Sequence, residues 1–67
     1  MIETKTRIYT MLTKETRQLL NIKADKIEID EELNTVNFYI LDVLIATIPQ
    51  DAIKFEITSS KETTTIF

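Results

Sequence analysis

Apolar and polar residues alternate with a period of two in three separate stretches, and that rhythm constrains the chain more than any motif. From Ile2 to Leu12, one face carries Ile2, Thr4, Thr6, Ile8, Thr10 and Leu12, and the other Glu3, Lys5, Arg7, Tyr9 and Met11. Repeated threonine favours a strand here, because β-branched side chains lose rotamer freedom in a helix. Lys26–Asp30 alternates with Ile27 and Ile29 inward, and Ile53, Phe55 and Ile57 alternate with Lys54, Glu56 and Thr58. Composition agrees: Ile and Thr occur eleven times each, and with Val, Phe and Tyr they make up 29 of 67 residues.

A chain this short buries only about 60% of the surface it exposes when unfolded. The usual staples are missing, since the sequence contains neither cysteine nor histidine. Stability must come from one small core, or from burial against a second copy. The same absences restrict chemistry. There is no imidazole base, no thiolate, no glycine-rich phosphate loop and no plausible triad, which excludes most enzyme classes. The expectation is a single domain over 1–67 with no catalytic residue, no cofactor and no metal. Asp30, Glu31 and Glu32 lack the spacing and glycine of a calcium loop and read as a solvated turn. No apolar leader opens the chain, and the longest apolar run, Phe38 to Ile48, is broken by Asp42 and too short to span a bilayer. A cytoplasmic protein is expected.

One helix is expected among the strands. Thr13 is placed to cap it, Glu15 falls in its first turn, Leu19, Leu20 and Ile22 supply an apolar stripe, and Asn21 stands where a left-handed C-terminal cap would sit. This predicts a short helix over 14–20. After the 26–30 strand, the polar turn 30–34 leads into Val36–Leu41, and the chain stays apolar on both faces as far as Ile48. Pro49-Gln50-Asp51 makes a turn, and Thr63–Phe67 forms a last edge strand. The expected fold is therefore α+β: a small, mostly antiparallel sheet with one short helix, in the order β-α-β-β-β with a further edge strand. The two-sided apolar stretch is either a central strand or a dimer seam, the seam carrying Phe38, Ile40, Leu41, Val43, Leu44 and Ile45. Asp42 inside it reads as a bulge or an exposed strand position.

Charge is uneven. Residues 1–24 carry Lys5, Arg7, Lys14, Arg17 and Lys23 against two glutamates, a net +3, whereas residues 25–67 sum to −6. The five basic side chains are candidates for one nucleic-acid-binding face. Overall acidity opposes tight non-specific binding, which draws its affinity from phosphate contacts. Tyr9 and Tyr39 are read as packing residues rather than base-stacking ones.

The stretch from Leu12 to Ile29, LTKETRQLLNIKADKIEI, resembles the AbrB/MazE swapped-hairpin superfamily. Lys14, Glu15 and Arg17 fall where that family's short helix expects them. Leu20-Asn21-Ile22 stands in for the leucine-glycine-aliphatic corner, and Lys26-Ile27-Glu28-Ile29 for the following strand. The likeness covers residues 7–41 and leaves 42–67 as a C-terminal strand extension. Leu12-Thr13 replace the family's isoleucine-proline, Ile8-Tyr9 replace Gly-Arg, and of the family's DNA-contacting arginines only Arg17 has a match. The resemblance implies an intertwined homodimer acting as a DNA-binding transcriptional regulator or antitoxin-like protein. The residues also fit an alternative: a protein-protein interaction module, an inhibitor or adaptor, that binds no nucleic acid.

Overall fold

The computed structural model describes residues 1–67 and contains no α-helix. The chain is all-β, seven strands in two antiparallel sheets that do not close into a barrel, which corrects the α+β expectation. In the first sheet β1 (Glu3–Leu12) is central. It pairs with β2 (Leu19–Ala24) on one edge and with β6 (Thr58–Ser59) and β7 (Thr63–Ile66) on the other. The second sheet runs β3 (Lys26–Asp30), β4 (Thr35–Ile40), β5 (Val43–Pro49), with β4 in the middle. Asp25 alone separates β2 from β3, so the chain crosses between sheets at that one residue.

The expected helix over 14–20 is a hairpin loop followed by a strand. One helical turn forms, with the Arg17 N–H donating to Thr13 O at 3.0 Å, and it stops there because Arg17 takes a left-handed backbone (φ 54°). Thr13 keeps a cap-like role: its hydroxyl bonds the Thr16 hydroxyl and accepts from the Gln18 N–H. The local signals marked a real turn but not its length. A helix of about two turns gains too little propagation to offset its nucleation. Leu19–Ala24 instead forms a six-residue ladder with Arg7–Leu12.

A shorter loop, residues 31–34, joins β3 to β4. Asp30 Oδ1 accepts from the N–H groups of Glu32 (3.0 Å) and Leu33 (3.1 Å), and Asn34 (φ 55°) takes the left-handed position that Arg17 takes in the first loop. The expected two-sided strand over 36–48 is also corrected, because it folds back on itself. Leu41 and Asp42 form a two-residue turn with φ of 49° and 64°, the double positive φ of a type I′ turn, and β5 returns along β4. Asp42 is thus a turn residue, while the bulge in this hairpin lies opposite Phe38 and Tyr39.

The C-terminal third runs back along β1. After a single 3-10 turn at Gln50–Ala52, Ile53 bridges Thr13, β6 opposes Tyr9 and Thr10, and β7 opposes Glu3–Thr6. The half-buried strand expected at 53–57 is only that bridge followed by an arch, which leaves Phe55 exposed. Between β6 and β7 two residues of β1, Arg7 and Ile8, face three, Ser60 to Glu62, as in a bulge. Below this point β1 changes its buried face. Thr6 is buried, with its hydroxyl 2.8 Å from that of Thr65, yet Met11, five residues on, is buried too. Neither of the two alternating faces from Ile2 to Leu12 is therefore buried along its whole length, and Ile8 lies exposed.

The core is small. Met11, Ala24, Val36 and Phe38 are fully enclosed, with Tyr9, Leu20, Ile22, Ile27 and Ile48 among the partly buried residues around them. The Tyr9 and Phe38 rings meet tilted at 58°, with centroids 5.7 Å apart. No helix is long and apolar enough to cross a membrane.

Candidate functional site

Register decides how the five basic candidates lie. Lys5 and Arg7 share one face of β1, whereas Lys14 and Arg17 occupy the β1–β2 loop. At about 3.3 Å per residue, Lys5 and Lys14 sit roughly 30 Å apart along the strand. Lys23 opposes Ile8, which puts it on the sheet face away from Arg7. Arg7 is also engaged within the chain: its guanidinium donates to Ser60 O at 3.0 Å and lies 3.9 Å from the Glu62 carboxylate. Only Lys14 and Arg17 come together, beside Glu15 in the same exposed loop.

The six apolar candidates behave differently. Phe38 belongs to the chain's own core, opposite Ile27 on one side and Ala46 on the other, and Ile40 is half-buried. The rest form one exposed run. Leu41, Val43, Leu44 and Ile45 are 38%, 62%, 52% and 44% exposed, interrupted only by Asp42. They occupy the I′ turn and the start of β5, an edge of the second sheet.

This hairpin is held from outside by a residue that sequence reasoning missed. Asp25 Oδ2 accepts from the Leu41 N–H at 2.7 Å and from the Thr4 hydroxyl at 3.3 Å, while the Asp25 N–H donates to Tyr39 O at 2.9 Å. One carboxylate thus ties β1 and the sheet crossover to the turn that starts the exposed edge. A leucine at positive φ costs energy that glycine would not, and the charge-assisted bond to Asp25 offsets it. A signal was present in the sequence: an Asp between two strand patterns, in a chain with no glycine to make turns.

Two hollows complete the surface. An apolar groove of about 690 Å³ lies between the 53–57 arch and the second sheet, walled by Ile27, Ile29, Val36, Ile53, Phe55 and Ile57. A smaller hollow of about 500 Å³ beside the β3–β4 loop is lined by Glu28, Asp30, Glu31, Glu32 and Tyr39, and nothing in it has metal-binding geometry. At its rim, Lys26 Nζ bonds Glu28 at 3.0 Å and sits 5.2 Å from the centre of the Tyr39 ring. The hydrogen bond and charge of Glu28 raise the Lys26 pKa above its ordinary 10.5.

The chain matches no protein-family model, no curated protein and no solved structure.

Proposed function

We propose that this chain is a non-enzymatic protein-binding module that docks its partner along the β4–β5 hairpin. The exposed run Leu41, Val43, Leu44, Ile45 carries that reading. Large side chains left this open on an edge strand are what a partner covers, since an uncovered apolar edge invites uncontrolled pairing. A strand edge supplies main-chain hydrogen bonds to a docking strand, and the side chains beside it supply selectivity.

The nucleic-acid reading draws less support. Its five basic residues divide between two ends and two faces of the first sheet, and Arg7 already has partners. Its remaining support is the Lys14–Arg17 loop.

Two measurements test the assignment. Affinity capture with the wild-type chain and with Leu44→Lys should recover a protein partner that the variant loses. In parallel, anisotropy of a labelled random duplex at low salt should show no binding. Duplex binding that weakens steeply with salt and drops in Arg17→Ala would replace this assignment with the DNA-regulator one.

A further inference from the structure

We infer that the partner fitted by this hairpin is a second copy of the chain, with β5 laid antiparallel to β5 about a two-fold axis. The inference rests on the protein-binding reading above and adds the occupant and its geometry. Three observations carry it.

The first is charge. β5 (Val43–Pro49) contains no ionisable side chain, so a copy of itself meets no like charge along the strand. The opposite edge of the same sheet, β3, carries Lys26, Glu28 and Asp30 at alternate positions, the pattern that protects an edge from pairing.

The second is the backbone. The Gln50 N–H donates to Asn34 O, so by the antiparallel alternation Ile48 and Ala46 turn their amides toward β4 while Thr47 turns outward. Thr47 therefore offers a free donor and acceptor at the edge. Pro49 has no N–H and limits the ladder at that end.

The third is closure. Joining β5 to β5 uses the same surface on both copies and gives a six-stranded sheet whose two outer edges are both the charged β3, so growth stops at two. Joining β5 to β3 would repeat without end, and the β3 charges oppose it. Pairing also covers Val43, Leu44 and Ile45, which the chain alone leaves open.

Electrostatics give this dimer a recognisable signature. Each copy carries a net −3, and Asp42 and Asp51 bracket β5, so antiparallel pairing brings acidic groups toward one another at both ends. Salt screens that repulsion, and the association tightens as ionic strength rises. Nucleic-acid binding would show the opposite sign.

Sedimentation velocity on the full chain, across protein concentration and from low to high salt, tests the proposal. The expected result is a reversible dimer of twice the 7.8 kDa chain mass, more populated at high salt. Ile45→Lys places two like charges across the axis and should weaken association by at least roughly tenfold with the circular dichroism spectrum unchanged. Thr47→Pro removes the outward donor and should act in the same direction; Ile45→Lys decides the matter if the proline variant does not fold. A 7.8 kDa monomer under all conditions, or growth beyond a dimer, overturns the inference. A monomer that still captures another protein and loses it in Leu44→Lys removes the second copy as occupant and leaves the protein-binding reading standing. A dimer indifferent to both substitutions overturns the inference and the hairpin as docking surface together.

Discussion

The two edges of the second sheet are built on one central strand yet present opposite surfaces. On β3, Lys26 and Glu28 point charge into solvent and pair with each other at 3.0 Å. On β5, Val43, Leu44 and Ile45 are exposed with no charge among them. The connections differ as well. β3 reaches β4 through a loop whose backbone N–H groups are held by its own Asp30, whereas β4 reaches β5 through a tight turn whose N–H is held by Asp25, sixteen residues back. The β3 edge is locally satisfied. The β5 edge depends on the rest of the molecule for its shape and, as proposed, on another molecule for its cover.

Erasing that difference should have the largest effect. Lys26→Val combined with Glu28→Val leaves Asp30 as the one charge on β3 and removes most of what opposes β5-to-β3 pairing. Light scattering should then show assemblies that grow with concentration, in place of a closed dimer. Phe38→Ala tests what both edges share. The ring is fully buried under Tyr9 and lies on β4 between them, so its loss should cost about 3–5 kcal/mol and abolish the cooperative urea transition in a domain this small. Asp25→Ala separates the edges again. Removing the carboxylate from the Leu41 N–H should cost about 1.5–3 kcal/mol. Amide exchange should accelerate at Leu41 and along β5 while Glu32 and Leu33 keep their protection. Equal acceleration in both loops would show that Asp25 supports the whole sheet rather than one edge.

The sequence reveals the β3 edge far better than the β5 edge, for a physical reason. Strict alternation over Lys26–Asp30, ending in an Asp whose side chain folds onto the next backbone amides, is local information, and the strand and its turn lie where that pattern puts them, although Ile29, expected inward beside Ile27, is exposed. The β5 edge is set by non-local contacts. Leu41-Asp42 has none of the Asn-Gly character that marks a type I′ turn, and it holds that shape by donating the Leu41 N–H to the Asp25 carboxylate. For the same reason 36–48 reads as one apolar strand when it is two. The 14–20 segment failed in the other direction. Its helix signals are genuine for one turn, but the ladder between Leu19–Ala24 and β1 outweighs them, and local propensity carries no record of that ladder. Of the binding candidates, the exposed part of the apolar run was visible as hydrophobicity without polar alternation. The dispersal of the basic residues needed the register of β1 against β2.

The turn itself gives a smaller effect. Asp42 sits at φ 64°, a backbone that costs a non-glycine residue about 1–2 kcal/mol. Asp42→Gly should raise the thermal midpoint by relieving part of that cost, less the extra chain entropy glycine brings to the unfolded state. Association should survive, since β5 is unchanged. A fall in the midpoint would mean that the Asp42 side chain itself supports the turn.

The smallest effect belongs to the Lys26–Glu28 pair, and alkaline pH removes it. Glu28 raises the Lys26 pKa above 10.5 in the folded chain, so the folded state holds that proton more tightly than the unfolded state does. The resulting stabilisation is fully present below pH 10.5 and is lost as pH rises through the higher folded value. Both side chains are about half exposed, so water screens the pair and its contribution at neutral pH is slight. Glu28→Gln should therefore lower the urea midpoint only slightly at pH 7, and that small difference should vanish as pH rises above 10.5. A large loss at pH 7 that persists above 10.5 would assign Glu28 a structural role. The β3 edge would then be held by its charges as well as guarded by them, and the contrast with β5 would extend from pairing to folding.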